Sequence, residues 1–123
     1  MIHLDTSVLI DALSGPRRSE DALRGALERG ERVLLSTIVL YEWLRGPRRA
    51  EELAAQEGLF PAAAAVAFGP EEAAIASRLY RNAQRPRGRE VDLAIAACAV
   101  AQGAAFWTLN PRDFRDVPGL RLY

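Results

Sequence analysis

The chain has 123 residues, half of them apolar, and it carries 16 basic and 16 acidic side chains, so its formal net charge is zero. All 16 basic residues are arginine, which excludes a lysine-dependent phosphate-binding loop and Schiff-base chemistry. One histidine and one cysteine also exclude an ordinary zinc cluster, which needs about four nitrogen or sulfur ligands. We expect a single domain over residues 1–123, with no membrane span, no signal peptide and a cytoplasmic location.

Apolar periodicity and turn residues divide the first half of the chain into strands and helices. Asp5-Thr6-Ser7 follows a short apolar strand and opens a helix. Ser36 is the expected N-cap of a later helix that Gly46-Pro47 ends. The predicted order is strand 2–4, helix 5–13, helix 19–29, strand 32–35, helix 36–45 and helix 51–57.

The second half continues the alternation. Gly69-Pro70-Glu71-Glu72 puts proline and acids into the first turn of a helix, where the helix dipole favours negative charge. Residues 90–102 are apolar nearly all round, which predicts a buried helix. The predicted order is strand 66–68, helix 69–83, loop 84–89, helix 90–102, strand 104–108, a helical turn at 110–111 and an edge strand at 120–123. This alternation predicts an α/β fold with a parallel sheet.

Four carboxylates stand beside apolar strands or inside apolar helices, where an unpaired charge is costly. Asp5 follows the first strand, and Glu42 interrupts a helix that is apolar at six of the seven positions 38–44. Asp92 opens the buried helix, and Asp113 follows the last long strand. An α/β sheet would bring these segments together at one edge. Since clustered carboxylates repel one another and oxygen ligands select hard cations, the set predicts a Mg²⁺ or Mn²⁺ site.

Each acid taken alone also has an explanation without a metal. Asp5 can cap the helix that follows it, and Glu42 can pair with Arg45 three residues later. Asp92 has a favourable place against a helix dipole, and Asp113 lies in a turn where aspartate is common. The metal site is therefore predicted from the four acids as an ordered set.

That ordered set resembles the PIN-domain family, specifically the VapC-type toxins of bacterial and archaeal toxin–antitoxin pairs. The resemblance covers essentially the whole chain. The matching segments are Leu4-Asp5-Thr6-Ser7, Glu42 with Leu44 and Gly46, Asp92-Leu93-Ala94-Ile95-Ala96-Ala97, and Thr108-Leu109-Asn110-Pro111-Arg112-Asp113-Phe114.

The resemblance implies a three-layer α/β/α sandwich around a mainly parallel central sheet of four to five strands. It implies a metal-dependent endoribonuclease, a cognate antitoxin and a homodimer. The implied metal-binding and catalytic residues are Asp5, Glu42, Asp92 and Asp113. The residues expected to shape the surroundings of these ligands are Thr6, Ser7, Thr108 and Asn110.

An acidic site must still attract a polyanionic RNA, and arginine holds phosphate through paired hydrogen bonds. The arginines predicted to contact RNA are Arg85, Arg87, Arg89 and Arg112. Solvated helix ends are the alternative explanation for them, and a net charge of zero gives no global support for nucleic-acid binding.

Three other classes of protein are alternatives to the nuclease. A haloacid-dehalogenase-type phosphatase usually has a second aspartate where this chain has Ser7, and it needs a lysine. A phosphorelay receiver domain fails on the missing lysine as well. The remaining alternative is a catalytically silent PIN-like module that binds RNA or protein, and a metal titration separates it from the nuclease.

Overall fold

A four-stranded parallel sheet forms the centre of the computed structural model, which describes residues 1–123. The strands are β1 Ile2–Leu4, β2 Val33–Leu34, β3 Ala105–Trp107 and β4 Arg121–Leu122. Their order in the sheet is β2-β1-β3-β4, and every neighbouring pair is parallel. The predicted α/β fold with a parallel central sheet is confirmed.

Six helices surround the sheet. They are α1 Thr6–Leu13, α2 Glu20–Glu28, α3 Thr37–Arg45, α4 Ala50–Leu59, α5 Pro70–Asn82 and α6 Glu90–Gln102, with 3₁₀ turns at Ala62–Ala64 and Pro111–Asp113. The two predicted caps are present, since Asp5 accepts from the Thr6 backbone N–H and Ser36 accepts from the Val39 N–H. None of the helices has the length and apolar character that crossing a bilayer requires.

The strand predicted at residues 66–68 is wrong, because only Val66 pairs, in a single bridge with Ser36 beyond the end of β2. Val66 donates its N–H to the Leu35 carbonyl, and its carbonyl accepts from Thr37, both at 2.8 Å. The next available donor, the Phe68 N–H, binds the Thr37 hydroxyl at 3.2 Å instead of a strand. Pro70 then begins α5, which leaves no room for a longer ladder.

The order of the strands creates a crevice at the centre of the sheet. The chain leaves β1 for β2 on one side and returns to β3 on the other. With right-handed crossovers this reversal puts helices on both faces, and it opens a ligand-binding crevice at the carboxyl ends of β1 and β3. Leu4 pairs with Trp107 there, and the Asp5 N–H donates to the Trp107 carbonyl at 2.8 Å. Asp5 and Thr108 therefore leave the sheet side by side.

Aromatic packing fixes the segment that carries Asp113. Phe114 is buried against Phe106 of β3, with ring centroids 4.8 Å apart. Burying such a side chain contributes about 1.5–3 kcal/mol. The turn that ends at Asp113 is thus anchored below the crevice, while α6 packs against β1, β3 and α5. The predicted burial of α6 is confirmed.

Candidate metal centre

Three of the four predicted acids line one open cleft of about 520 Å³ at the carboxyl ends of β1 and β3. We call this space the acidic cleft. Its lining residues are Asp5, Thr6, Ser7, Ile10, Glu42, Arg45, Gly46, Asp92 and Asn110. The end of β1, the middle of α3 and the start of α6 each contribute one carboxylate.

Asp5 is the most firmly held of these acids. It is buried, and its Oδ1 accepts from the Thr6 backbone N–H at 2.9 Å. Its Oδ2 accepts from the Ser7 and Thr108 hydroxyls at 2.9 and 2.7 Å. Burial raises the pKa of Asp5 and the nearby charge of Glu42 adds to the rise, while the three hydrogen bonds oppose it. The carboxylate is thus held in one orientation in spite of the cost of burying its charge.

Two backbone donors determine which way the supporting hydroxyls point. The Leu109 N–H donates to the Ser7 hydroxyl at 3.1 Å, and the Asn110 N–H donates to the Thr108 hydroxyl at 3.0 Å. Because each hydroxyl oxygen already accepts from the backbone, its own hydrogen is free to point toward Asp5. The loop after β3 therefore helps to orient Asp5.

Glu42 lies in the acidic cleft and also pairs with Arg45. Its Oε1 accepts from the Thr6 hydroxyl at 2.5 Å inside the acidic cleft. Its Oε2 accepts from Arg45 at 3.3 Å, so the alternative ion pair also forms. A pair with one exposed partner contributes little to stability. The pair with Arg45 therefore does not remove Glu42 from the cleft.

The charges of the other three acids all act on Asp92. Burial raises the pKa of Asp92, and the charges of Asp5, Glu42 and Asp113 raise it further, while Arg89 lowers it. The acids are close enough for their charges to repel. A cation in the cleft would relieve that repulsion.

Asp113 lies at the margin of the site. Its side chain is exposed and does not line the acidic cleft. Its backbone carbonyl accepts from Arg89 at 2.8 Å, and Arg89 also binds both carboxylate oxygens of Asp116, at 2.7 and 2.8 Å. Arg89 therefore holds this turn, and the RNA contact predicted for it stays a prediction. Arg85, Arg87 and Arg112 are exposed.

The side chains of the cleft provide the oxygen ligands that a hard divalent cation prefers, although they do not form a complete coordination shell. Asp5, Glu42 and Asp92 offer carboxylate oxygens, the ligands that Mg²⁺ and Mn²⁺ prefer. No three Asp, Glu, His or Cys groups lie close enough together to hold an ion as they stand. Mg²⁺ usually keeps several waters and takes only one or two protein carboxylates, together with substrate phosphate. A full cage is therefore not required for the residues to fit.

Comparison with known proteins determines the family. The model of the PIN domain matches residues 2–120. This chain belongs to the PIN-domain family. No curated protein sequence matches it significantly.

Solved structures share the fold of this PIN domain. DNA-bound VapBC from Salmonella typhimurium contains a chain that is 23% identical, with a TM-score of 0.80 and coverage of 99% of this chain and 96% of that one. For VapBC2 from Rickettsia felis, bound to a promoter DNA fragment, identity is 21%, the TM-score 0.76 and the coverage 100% and 98%. For VapBC-5 from Mycobacterium tuberculosis, identity is 25% and the TM-score is 0.63, with coverage of 98% of this chain and 97% of that one.

Sequence reasoning missed two features of this PIN domain. It considered Arg45 as the partner of Glu42, yet Arg45 also lines the acidic cleft, as its position three residues later on the same helix could have indicated. It also missed a groove of about 640 Å³ between α1, α2 and α4. We call this the helix groove, and its lining residues are Ala12, Leu13, Arg17, Glu20, Leu23, Arg24, Leu27, Glu28, Glu51, Glu52, Ala55 and Leu59.

Proposed function

We propose that this PIN domain is a metal-dependent endoribonuclease and the toxin component of a VapBC-type toxin–antitoxin pair. The observation that carries the proposal is the meeting of Asp5, Glu42 and Asp92 in one cleft at the carboxyl ends of β1 and β3. The similar solved structures are VapBC complexes, which supports the toxin assignment within the PIN-domain family.

In this proposal Asp5 and Asp92 hold the principal cation, with Glu42 completing the site. Bound Mg²⁺ or Mn²⁺ would supply an activated water and neutralise charge that develops on a phosphodiester. Ser7 and Thr108 keep the Asp5 carboxylate turned toward the cleft through their hydrogen bonds. Thr6 does the same for Glu42.

Other residues complete the proposed site less directly. Asn110 lines the cleft beside the acids, where its amide can bind a water or the substrate. Asp113 acts through the charge that it adds near Asp92. Arg85, Arg87 and Arg112 have no ion-pair partner, so they are available to hold RNA phosphates.

The helix groove provides a surface for the proposed antitoxin. Its floor is apolar, with side chains such as Leu23, Leu27 and Leu59, and its rim carries both signs of charge. An amphipathic helix could place its apolar face there. A homodimer is proposed from the family resemblance, to be checked by sedimentation. We propose that this activity takes place in the cytoplasm, as the sequence predicts.

The test is cleavage of a mixed pool of structured RNA by purified protein with Mg²⁺, Mn²⁺ or a chelator. We expect discrete products that require the ion and are absent with Asp5→Asn and Asp92→Asn. A parallel titration with Mn²⁺ measures binding without reference to activity, and both variants should bind it more weakly. Folded protein that binds RNA equally well with and without metal, and never cuts it, would instead support the catalytically silent module.

A further inference from the structure

We propose that Tyr41 and Arg45 form a binding site for one unpaired nucleotide of RNA at the edge of the acidic cleft. This inference rests on the proposed nuclease function and names the form in which its substrate is held. In this site the Tyr41 ring stacks on a base, and the Arg45 guanidinium holds the phosphate next to it.

The first argument is the geometry of α3. Tyr41 and Arg45 are four residues apart, so they lie on the same face of the helix. The Arg45 guanidinium carbon is 5.5 Å from the centre of the Tyr41 ring. Tyr41 is nonetheless 61% exposed, so most of the ring surface is open to solvent. An exposed aromatic ring beside an arginine is the combination on which single-stranded nucleic acids stack.

The second argument is the place of Arg45 in the cleft. It is the one basic residue among those that line the acidic cleft. Its bond to Glu42 is long, at 3.3 Å, and its side chain is 58% exposed, so the ion pair is weak. The guanidinium can therefore bind a phosphate with little loss, and phosphate accepts two parallel hydrogen bonds from it.

The neighbouring arginines are committed to other contacts. Arg48 stacks on the buried ring of Trp43, 4.2 Å from its centre, and donates to the Trp43 carbonyl. Arg49 pairs with Glu51 and Glu52 at the start of α4. Arg45 alone of the three arginines that follow Glu42 faces the acids, which makes it the residue that can bring a phosphate to them.

The chemistry of the site favours an unpaired nucleotide over a duplex. Stacking on Tyr41 requires a base whose face is uncovered, and bases inside an A-form duplex are covered by their neighbours. Stacking tolerates any base, because each has a π-face. The proposed site therefore selects for single-stranded loops or ends and not for a particular base.

Binding without cleavage provides the test. Asp5→Asn is the parent, and fluorescence anisotropy with a labelled single-stranded oligonucleotide in Mg²⁺ measures affinity. Tyr41→Ala should weaken binding about tenfold, whereas Tyr41→Phe, which keeps the ring, should stay within about twofold. Arg45→Ala should weaken binding about fivefold and should also reduce the slope of log K against log salt by about 0.7, the value for one lost phosphate contact on a single strand.

A matched control separates a specific contact from a simple loss of charge. Arg24 is 59% exposed and pairs with Glu20 on its own helix, as Arg45 pairs with Glu42, but it lines the helix groove. Arg24→Ala should change neither the affinity nor the salt slope by more than the error of measurement. A duplex of the same sequence should bind Tyr41→Ala and its parent equally.

Three results would overturn the proposal, and each would lead to a different conclusion about Tyr41, Arg45 or the proposed function. If the parent binds RNA and both Tyr41→Ala and Arg45→Ala bind it equally well, this nucleotide site is wrong while the nuclease assignment stands. If the parent binds no RNA at all, the proposed function fails and this inference fails with it. If Tyr41→Ala changes the sedimenting mass and leaves RNA affinity intact, Tyr41 belongs to a protein interface.

Discussion

The acidic cleft and the helix groove are the two main concave surfaces of this PIN domain, and they differ in chemistry more than in size. The cleft has a volume of about 520 Å³ and a polar lining with one arginine. The groove has about 640 Å³ and an apolar floor. Size and apolar lining alone would favour the groove as a small-molecule site. The groove is itself lined by four glutamates, however, so neither size nor the number of acids locates the chemistry.

The charges in the two places explain the difference. Around the helix groove, four of the six charged side chains have partners, for example Glu20 with Arg24 at 3.0 Å and Glu52 with the Arg49 N–H at 2.8 Å. In the acidic cleft, burial and mutual repulsion raise the pKa values of Asp5 and Asp92. Such unrelieved repulsion is expected where a bound cation completes the structure. The cleft is thus suited to chemistry and the groove to a partner.

The largest effect should come from Asp5→Asn. Loss of residues that merely support a metal ligand typically costs 10–100-fold in affinity or activity, so removing a ligand should lower cleavage by about 100-fold or more. The free energy of unfolding should stay equal or rise, because burial disfavours the charge that the variant removes. Initial rates of RNA cleavage and urea unfolding measure the two quantities.

Glu51→Gln is the matched control for this prediction. Glu51 is an exposed carboxylate that lines the helix groove, so its loss should leave the cleavage rate unchanged. Equal activity of Asp5→Asn and the native chain would contradict the assignment of RNA cleavage to the acidic cleft.

A second prediction concerns acid stability and the strand that leads into the cleft. His3 is buried in β1, its Nε2 has no hydrogen-bond partner, and burial lowers its pKa to about 4. The unfolded chain, with the ordinary value of 6.5, therefore takes up a proton first as the pH falls. Between pH 7 and pH 5 the native chain should lose about 2 kcal/mol relative to His3→Leu.

Urea unfolding of both proteins at pH 7, 6 and 5 checks this value. The raised pKa values of Asp5 and Asp92 act with the opposite sign, since they lower stability as the pH rises. They are present in both proteins, so the difference between the two isolates His3. Parallel stability curves would show that the pKa of His3 is the same in the folded and the unfolded chain.

A third prediction tests the groove. Leu59 is 46% exposed and lines the helix groove, so Leu59→Glu should preserve the fold and the cleavage rate. If the antitoxin packs there, its affinity should fall by about tenfold, as for a residue near the centre of an interface. Leu53→Glu on the same helix is the control, because Leu53 is 37% exposed and lies outside the groove. Calorimetry with the purified antitoxin would decide, and equal losses in both variants would contradict a specific groove.

The sequence predicted elements well where a local signal determined them. Helix α3 begins at its predicted N-cap, Ser36, because the cap bond to Val39 depends on residues three positions apart. Sheet pairing depends on distant residues, and so the strand expected at 66–68 was wrong: the side chain of Thr37 takes the donor that a ladder would have used.

In the site too, features that depend on nearby residues were predictable and features that depend on distant residues were not. The positions of Asp5, Glu42 and Asp92 in apolar segments were enough to place them in one cleft. The role of Arg89 could not be read from the sequence, because its partner Asp116 lies 27 residues away. The position of Asp113 at the margin of the site could not be read from the sequence either, because it depends on the packing of Phe114 against Phe106.

The smallest effects should come from two ion pairs, of which the first holds the turn at Asp113. Arg89 is half-buried and binds Asp116 through two hydrogen bonds of 2.7 and 2.8 Å. Asp116 is exposed, so Asp116→Asn should lower the free energy of unfolding by only about 1 kcal/mol. On the groove rim, Glu20→Gln breaks a single contact between side chains that are 38% and 59% exposed, and it should cost less than about 0.5 kcal/mol.

The contribution of the Arg89–Asp116 pair should depend on pH. Arg89 lowers the pKa of Asp116, so this pair stabilises the protein above the ordinary carboxyl pKa of 3.8 and loses its effect as the pH falls through the lower folded value. Asp116→Asn should therefore approach the native stability in strong acid. It should also slow cleavage a few-fold at neutral pH, since Asp113 loses its support, whereas Glu20→Gln should not. A cleavage rate equal to that of the native chain would mean that the turn does not contribute to the acidic cleft.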